Sequence, residues 1–339
     1  MSEDLHAEVV VVGGGPAGLS AAVGLARSRR DVVLVDGGEP RNAPAHGAHN
    51  LLGQEGVQPF ELLARGRDEA QGYGVRIVSG TVTDASGTVD DFHLEVDGGA
   101  RTVTARRVIL ATGLVDQLPD IPGVAEAWGH SVLHCPFCHG WEVRDQRIAV
   151  LGTSEAALHQ VVLFRQLSDD VTLVLHDGLE LTEEQRERLA ALGARVVASR
   201  VERLVLDGPQ VRAVEVEGGT LVETDAVVVT PRFTARTEIY EALGGTPAVT
   251  ASEQQVVAET DGATPVPGVW VAGDVADVTT MVAVAAASGV MAGAAVHSDR
   301  ADADLARAVQ DRRAHRSVAA ETAGTRAPDT VLSDSATGG

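Results

Sequence analysis

Apolar residues along this chain fall into short unbroken runs separated by mixed segments. Glu8–Val12, Asp31–Val35, Arg107–Ala111, Arg147–Leu151, Asp170–Leu175 and Gly268–Ala272 are each nearly continuous in Val, Ile, Leu and Ala. Runs of this length, apolar on both faces, predict buried parallel strands. Between them, Leu19–Arg27, Pro59–Gln71, Leu158–Leu167 and Leu181–Leu192 read as helices, and Met281–Val296 as a helix rich in small residues. Weaker strands are expected around Val75–Val78 and Phe92–Val96, with Val201–Leu206, Val211–Val216 and Ala226–Thr230 completing one sheet. The strand–turn–helix–strand order occurs twice. The fold class is therefore α/β with two Rossmann-like modules, each a three-layer ββα arrangement. Pro119, Pro122 and Gly123 mark a crossing between domains. The expected domains are 1–117, an insertion over 118–246, and a return to the first domain over 247–300. From 301 to 339 Ala, Arg, Asp, Ser, Thr and Gly dominate, which predicts a short exposed helix to about Arg316 and then a disordered tail.

With 339 residues the chain has material for two cores, and its 44% hydrophobic content is that of a globular protein. The formal charge of −21 argues against nucleic acid or an anionic membrane surface as partner. Lysine is absent, so every fixed side-chain cation is arginine. That excludes a P-loop lysine and Schiff-base chemistry. No run reads as long and apolar enough to span a bilayer, and the start Met1-Ser-Glu-Asp-Leu-His6 lacks the basic region of a signal peptide. A cytoplasmic location is the expectation.

The first apolar run leads into Gly13-Gly-Gly15-Pro16-Ala17-Gly18, then a helix, then a strand ending at Asp36. This is the complete dinucleotide fingerprint. Gly13 permits the tight turn, Gly15 lets the backbone approach a pyrophosphate, and Gly18 lets the helix pack on the strand. Pro16 and Ala17 open the helix, whose free N–H groups attract phosphate, and Asp36 can accept ribose hydroxyls. The polar loop from Glu39 to Gly53 is placed to lie across the dinucleotide, which makes Arg41 and Asn50 candidate contacts beside the reading of ordinary loop residues.

Chemistry concentrates in Leu133-His134-Cys135-Pro-Phe137-Cys138-His139-Gly-Trp141-Glu142, which holds the chain's two cysteines. A Cys-x-x-Cys spacing lets two thiols close into a disulfide and reopen, and in a chain without secretory features it reads as redox-active. A structural disulfide and half a zinc site are the competing readings. Zinc is disfavoured because His134 and His139 are immediate neighbours of the thiols and no second cysteine pair exists. A nearby imidazole can lower a thiol's pKa or take its proton. Glu142 is placed to orient a histidine. Phe137 and Trp141 read as packing residues, with the walls of a substrate pocket as the alternative.

Together, Gly13-x-Gly15-x-x-Gly18, Ala111-Thr112-Gly113, the central cysteine pair and Gly273-Asp274 resemble the low-molecular-weight thioredoxin reductases, from about Glu8 to His297. The resemblance implies FAD in the first module with Asp274 on its ribitol, a homodimer, Cys135 as the thiol that meets substrate, and Cys138 facing the flavin. Two departures are informative. Those reductases follow the second cysteine with an aspartate, whereas this chain has His139. Their second module carries a glycine-rich NADPH turn with arginines beyond the next strand and Arg-Gln at the start of the last helix. Here the turn is Gly152-Thr-Ser-Glu155, the strand runs into His176-Asp177 with no adjacent arginine, and Thr280-Met281 stands where Arg-Gln is usual. The cysteine segment is more similar to the flavin-dependent dithiol oxidases of the holomycin and gliotoxin type, which dispense with NADPH and pass electrons to oxygen. That implies FAD-dependent closure of a disulfide in a small dithiol, with His139, then His134, as base for the substrate thiols. The alternatives are an NAD(P)H-dependent disulfide reductase and a non-catalytic flavoprotein that senses redox state.

Overall fold

The structure, a computed structural model, describes residues 4–177, 179–251 and 253–324. The chain divides into two compact units, Met1–Ala295 and Val296–Gly339.

The valine run near the N-terminus is the buried C-terminal end of the strand Asp4–Val12. It pairs in parallel with Val32–Asp36 on one side and Arg101–Leu110 on the other. Arg76–Ser79 adds a further parallel strand, while Asp91–Val96 and Val82–Thr88 continue the sheet antiparallel. The strand Arg101–Leu110 changes neighbour along its length. Its first half pairs with Asp91–Val96, and its second half, Val108–Leu110, pairs in parallel with Val269–Val271. In this way residues far along the chain return to the first sheet and deliver Gly273 and Asp274, in a short 3₁₀ turn, beside the first glycine turn.

The helix Pro16–Arg27 lies against this sheet so closely that glycine is obligatory at its contacts. A Cβ on Gly18 would fall 1.8 Å from the Gly13 carbonyl oxygen. The last helix, Val282–Gly324, approaches it as closely, since a Cβ on Gly289 would fall 2.0 Å from the Ala17 carbonyl oxygen.

A second parallel sheet runs Arg195–Val197, Val171–Leu175, Ile148–Gly152, Ala226–Val228, Val132–Leu133. The three strands expected to complete one sheet are divided. Val201–Asp207 and Gln210–Val216 form an antiparallel meander with Thr220–Glu223, while Ala226–Val228 inserts into the parallel sheet. Tight turns at Gly208 and at Gly218-Gly219, all with positive φ, hold the meander together locally, whereas the fully buried Ala-Val-Val run needs cover on both faces. Leu114–Gln117 and Arg232–Ala235 pair antiparallel in a further small sheet, at the two crossings of the chain.

Two expectations about the C-terminal part change. The separate short helix is absent, because one helix runs continuously through Val282–Gly324; residues 325–339, where the tail was expected, lie outside the described residues. The segment Val282–Arg316 also reaches a mean hydropathy of 1.2 over an 18-residue window, so one helix is long and apolar enough to cross a membrane by length and composition. Small residues account for much of that value. Gly289 and Gly293 sit on the backbone of Ala17 and Ala21, and Ala285 and Ala292 are buried. The second unit is helical in its described part, with an i,i+4 ion pair between Arg300 and Asp304.

Gly289→Ala should lower the unfolding free energy by about 1–3 kcal/mol through overpacking. Gly24→Ala, where an added Cβ meets nothing within 4 Å, should instead be neutral or stabilising by up to about 1 kcal/mol. Denaturant unfolding of both variants checks the contrast.

Candidate functional site

The first glycine turn, the Ala111-Thr112-Gly113 segment, the returning aspartate and the cysteine segment converge on one cavity of about 960 Å³. Its walls include Gly13–Ala17, Asp36, Arg41, Thr112, Gly113, Gly273 and Asp274, together with His134, Cys135, Cys138 and His139. Gly13 makes the turn at φ +108°, where a Cβ would fall 2.2 Å from the Ala111 carbonyl oxygen. Gly15 is the opposite case. A Cβ there meets nothing within 4 Å, so the bare backbone and the uncapped N-terminus of the helix Pro16–Arg27 face open space. Gly18 is not among the wall residues and serves the helix–strand contact. This cradle fits a dinucleotide: exposed N–H groups for phosphates, a large cavity, and an acid at the end of the second strand.

Asp36 accepts from the backbone N–H of Gly14 at 3.1 Å and of Gly38 at 3.1 Å, and pairs with Arg67. Arg67 comes from the helix Pro59–Gly72, and no motif in the sequence marks it. Thr112 donates its hydroxyl to the Arg236 carbonyl at 2.7 Å.

Arg41 lines the cavity, but its side chain is committed to protein. It grips Asp116 with two hydrogen bonds, at 2.9 and 2.7 Å, donates to Asp274 at 3.1 Å, and lies 5.2 Å from the Phe233 ring. Burial pulls its pKa down, but the hydrogen bonds and charges of the two aspartates more than offset this and leave it raised. Burial pushes the Asp274 carboxyl above its usual range, opposed by Arg41. Asp116 was invisible to sequence reasoning, since 75 residues separate it from Arg41.

Asn50 stands outside the large cavity. Its backbone is left-handed, φ +58°, a conformation Asn tolerates better than most residues, and its side-chain amide donates to the Phe137 carbonyl at 2.6 Å. The loop it belongs to therefore clasps the cysteine segment. His46 also reaches His130, with ring nitrogens 3.3 Å apart.

Cys135 precedes the single turn Pro136–His139, and the two sulfurs stand 2.7 Å apart. The hydrogen bond from Cys138 is the main influence on the Cys135 thiol. With the N–H groups of Cys138 and Phe137 and the charge of Arg41, it outweighs burial and brings the thiol down to about 7. Cys138, as donor, is pushed up. The pair is thus poised to hold one thiolate near neutral pH, on Cys135.

Burial lowers the pKa of both flanking histidines. His134 Nδ1 lies 3.0 Å from the Val229 carbonyl, which fixes its proton there and leaves Nε2 as the basic nitrogen. His139 Nε2 is buried with no hydrogen-bond partner among the described residues. The charge of Glu142 raises the His139 pKa, but its nearest ionic partner is His49, at 3.6 Å. Phe137 and Trp141 are not packing residues: they are 64% and 66% exposed.

In the second module Thr153 and Ser154 both reach the Thr230 hydroxyl, at 3.2 and 3.1 Å, and Glu155 begins the helix. The turn is thus filled by its own hydroxyls. Asp177, expected to stand without an arginine, is paired with Arg200 at 2.7 Å. The partner comes from the bend before Val201–Asp207, 23 residues away, so no local pattern could show it.

This chain belongs to the pyridine nucleotide-disulphide oxidoreductases, a family that matches residues 7–289. These are FAD-binding flavoproteins, and the architecture is that of the low-molecular-weight thioredoxin reductases. Among individual relatives, it is similar to thioredoxin reductase tcpT of Claviceps purpurea, 34% identical over 72% of this chain and 79% of the relative. It is also similar to thioredoxin reductase sirT of Leptosphaeria maculans, 30% identical over 88% and 96%. The crystal structure of HlmI superposes with a TM-score of 0.86 at 43% identity, covering 94% of this chain and 99% of that one. The chain is a disulfide oxidoreductase of the thioredoxin reductase type.

Gly15→Asp should fold, because its Cβ meets nothing, yet purify without FAD, since the carboxylate opposes the phosphates. The flavin absorbance of the purified variant decides this. Arg41→Met should cost about 2–3 kcal/mol near pH 7 by leaving two half-buried carboxylates unpaired. The loss should be smaller at about pH 4.5 than at pH 7, because the Asp274 carboxyl, already raised by burial, takes up a proton as the pH falls. Urea unfolding at the two pH values tests both the size and the sign.

Proposed function

We propose that this protein is an FAD-dependent dithiol oxidase that closes a disulfide in a small molecule, with oxygen as the final acceptor. The observation that carries the reading is the contrast between the two modules. The first offers bare glycine backbone at its turn, whereas the second fills the corresponding turn with Thr153, Ser154 and Thr230 and begins its helix at Glu155. Electrons then enter from the dithiol rather than from a nicotinamide nucleotide.

One substrate thiolate attacks Cys135 Sγ in the Cys135–Cys138 disulfide, breaking the S–S bond and leaving Cys138 as the thiolate. The second substrate thiolate attacks its own first sulfur and releases Cys135. The substrate leaves as a disulfide, having lost two protons and two electrons, and the enzyme pair is reduced. His139, neutral at pH 7 with Nε2 unpartnered, takes a substrate proton, and His134 Nε2 is the second candidate. Gly13–Ala17, Asp36, Thr112, Gly113, Gly273 and Asp274 would hold FAD, which when bound would supply the acceptor for the electron pair and its onward passage to oxygen as hydrogen peroxide. The domains carrying these steps are an FAD domain over 1–117 and 247–300 and a dithiol domain over 118–246. A homodimer would cover the exposed Val284, Val290 and Met291.

Under anaerobic conditions a small dithiol should bleach the flavin and oxygen should restore it with peroxide, while NADPH leaves it oxidised. Like charge at Glu155 and loss of the bare turn should weaken nucleotide affinity by roughly 10³-fold. Cys138→Ser should keep its FAD and lose dithiol oxidation. Rapid bleaching by NADPH or NADH would establish a reductase instead, a reading the Arg200–Asp177 pair favours by neutralising one repulsive charge.

A further inference from the structure

A second cavity, about 350 Å³, opens beside Cys138. Its apolar walls are Phe137 and Trp141, both largely exposed. Both are held in place. Asn50 grips the Phe137 carbonyl, and Arg144 donates to the Trp141 carbonyl at 2.7 Å while its guanidinium stacks 4.0 Å from the centre of the Trp141 ring. An exposed aromatic pair on anchored backbone next to a redox cysteine is unused by the core and suited to a compact ligand.

The ionisable groups of this lining, other than Cys138 itself, are Glu55, Glu142 and His49. His49 lies 2.6 Å from Glu55 and 3.6 Å from Glu142. Two carboxylates share one imidazole, so the rim is negative whether or not His49 is protonated. The hydrogen bond from His49 holds Glu55 below the usual carboxylate range. Arg144 is not part of this lining, and the formal charge of −21 adds a field of the same sign as the rim.

We propose that this cavity seats the body of the substrate, whose dithiol reaches past Cys138 to Cys135, 2.7 Å away, and that it selects uncharged or cationic small dithiols over those bearing a carboxylate. The inference rests on the dithiol-oxidase reading and assigns that substrate a charge class. Phe137 and Trp141 cover its apolar part, and Glu55 and Glu142 favour N–H donors or positive charge at the rim. An acidic group brought against the same rim is repelled as it docks, which appears chiefly in KM.

Dihydrolipoamide and dihydrolipoate test this directly, since they share one dithiol and one chain and differ only in a terminal amide or carboxylate. With the FAD-loaded enzyme, kcat/KM for the amide should exceed that for the acid by about tenfold or more at low ionic strength. The ratio should fall toward about threefold in Glu142→Gln and Glu55→Gln and at high salt, because screening and charge removal act on the same repulsion. Phe137→Ala should raise KM for both substrates. Equal use of the two probes by the unaltered enzyme would overturn the charge selection and leave the oxidase reading standing. A ratio unchanged in the Glu55→Gln/Glu142→Gln double variant would place discrimination elsewhere and overturn the cavity assignment. Failure of both dithiols to reduce the flavin would remove the oxidase reading, and this inference with it.

Discussion

The half-buried guanidinium of Arg41 is the interaction on which the site depends. It ties together a loop after the first module, a strand at the domain crossing and the turn that returns to the first sheet, through Asp116 and Asp274. The three segments come from different parts of the chain, and Arg41 is the side chain that joins them. In a chain without lysine, only arginine can provide a fixed cation here, and its planar fork suits a two-point grip on one carboxylate with a third bond to another. The same charge favours the thiolate at Cys135 and partly opposes the upward push on Cys138, so structural and chemical demands converge on one side chain.

What could be read from the sequence was local in origin. The glycine turn, the apolar runs and the cysteine spacing each express a constraint among near neighbours, and the structure places them as those constraints require. Gly18 meets the Gly13 carbonyl, and the four valines run through the middle of a seven-stranded sheet. What could not be read depended on distant partners. Arg67 reaches Asp36 across 31 residues, Asp116 reaches Arg41 across 75, and Arg200 reaches Asp177 across 23. Exposure was misjudged for the same reason: Phe137 and Trp141 look like core residues until the surrounding loop is seen to leave them uncovered. Asn50 was assigned from the position of its loop, but its amide answers to the Phe137 carbonyl.

The two halves of the site differ in how their charge is managed. Around Arg41 every ionic group is partnered in a shielded setting, where a lost partner is costly. Around the cysteines the titrating groups are held close to neutrality: a thiol near 7 and two histidines kept uncharged by burial. A rigid charged frame beside a soft, easily protonated centre allows proton movement without disturbing the frame.

The hydroxyls filling the second module's turn have a mutational corollary. Thr153, Ser154 and Thr230 satisfy one another, so changing either turn residue to glycine removes a partner from Thr230 before it creates room for a ligand. Leu175 and Leu179 already crowd Gly152 from the far side. Converting this turn to bare glycine backbone would therefore take several coordinated substitutions rather than one.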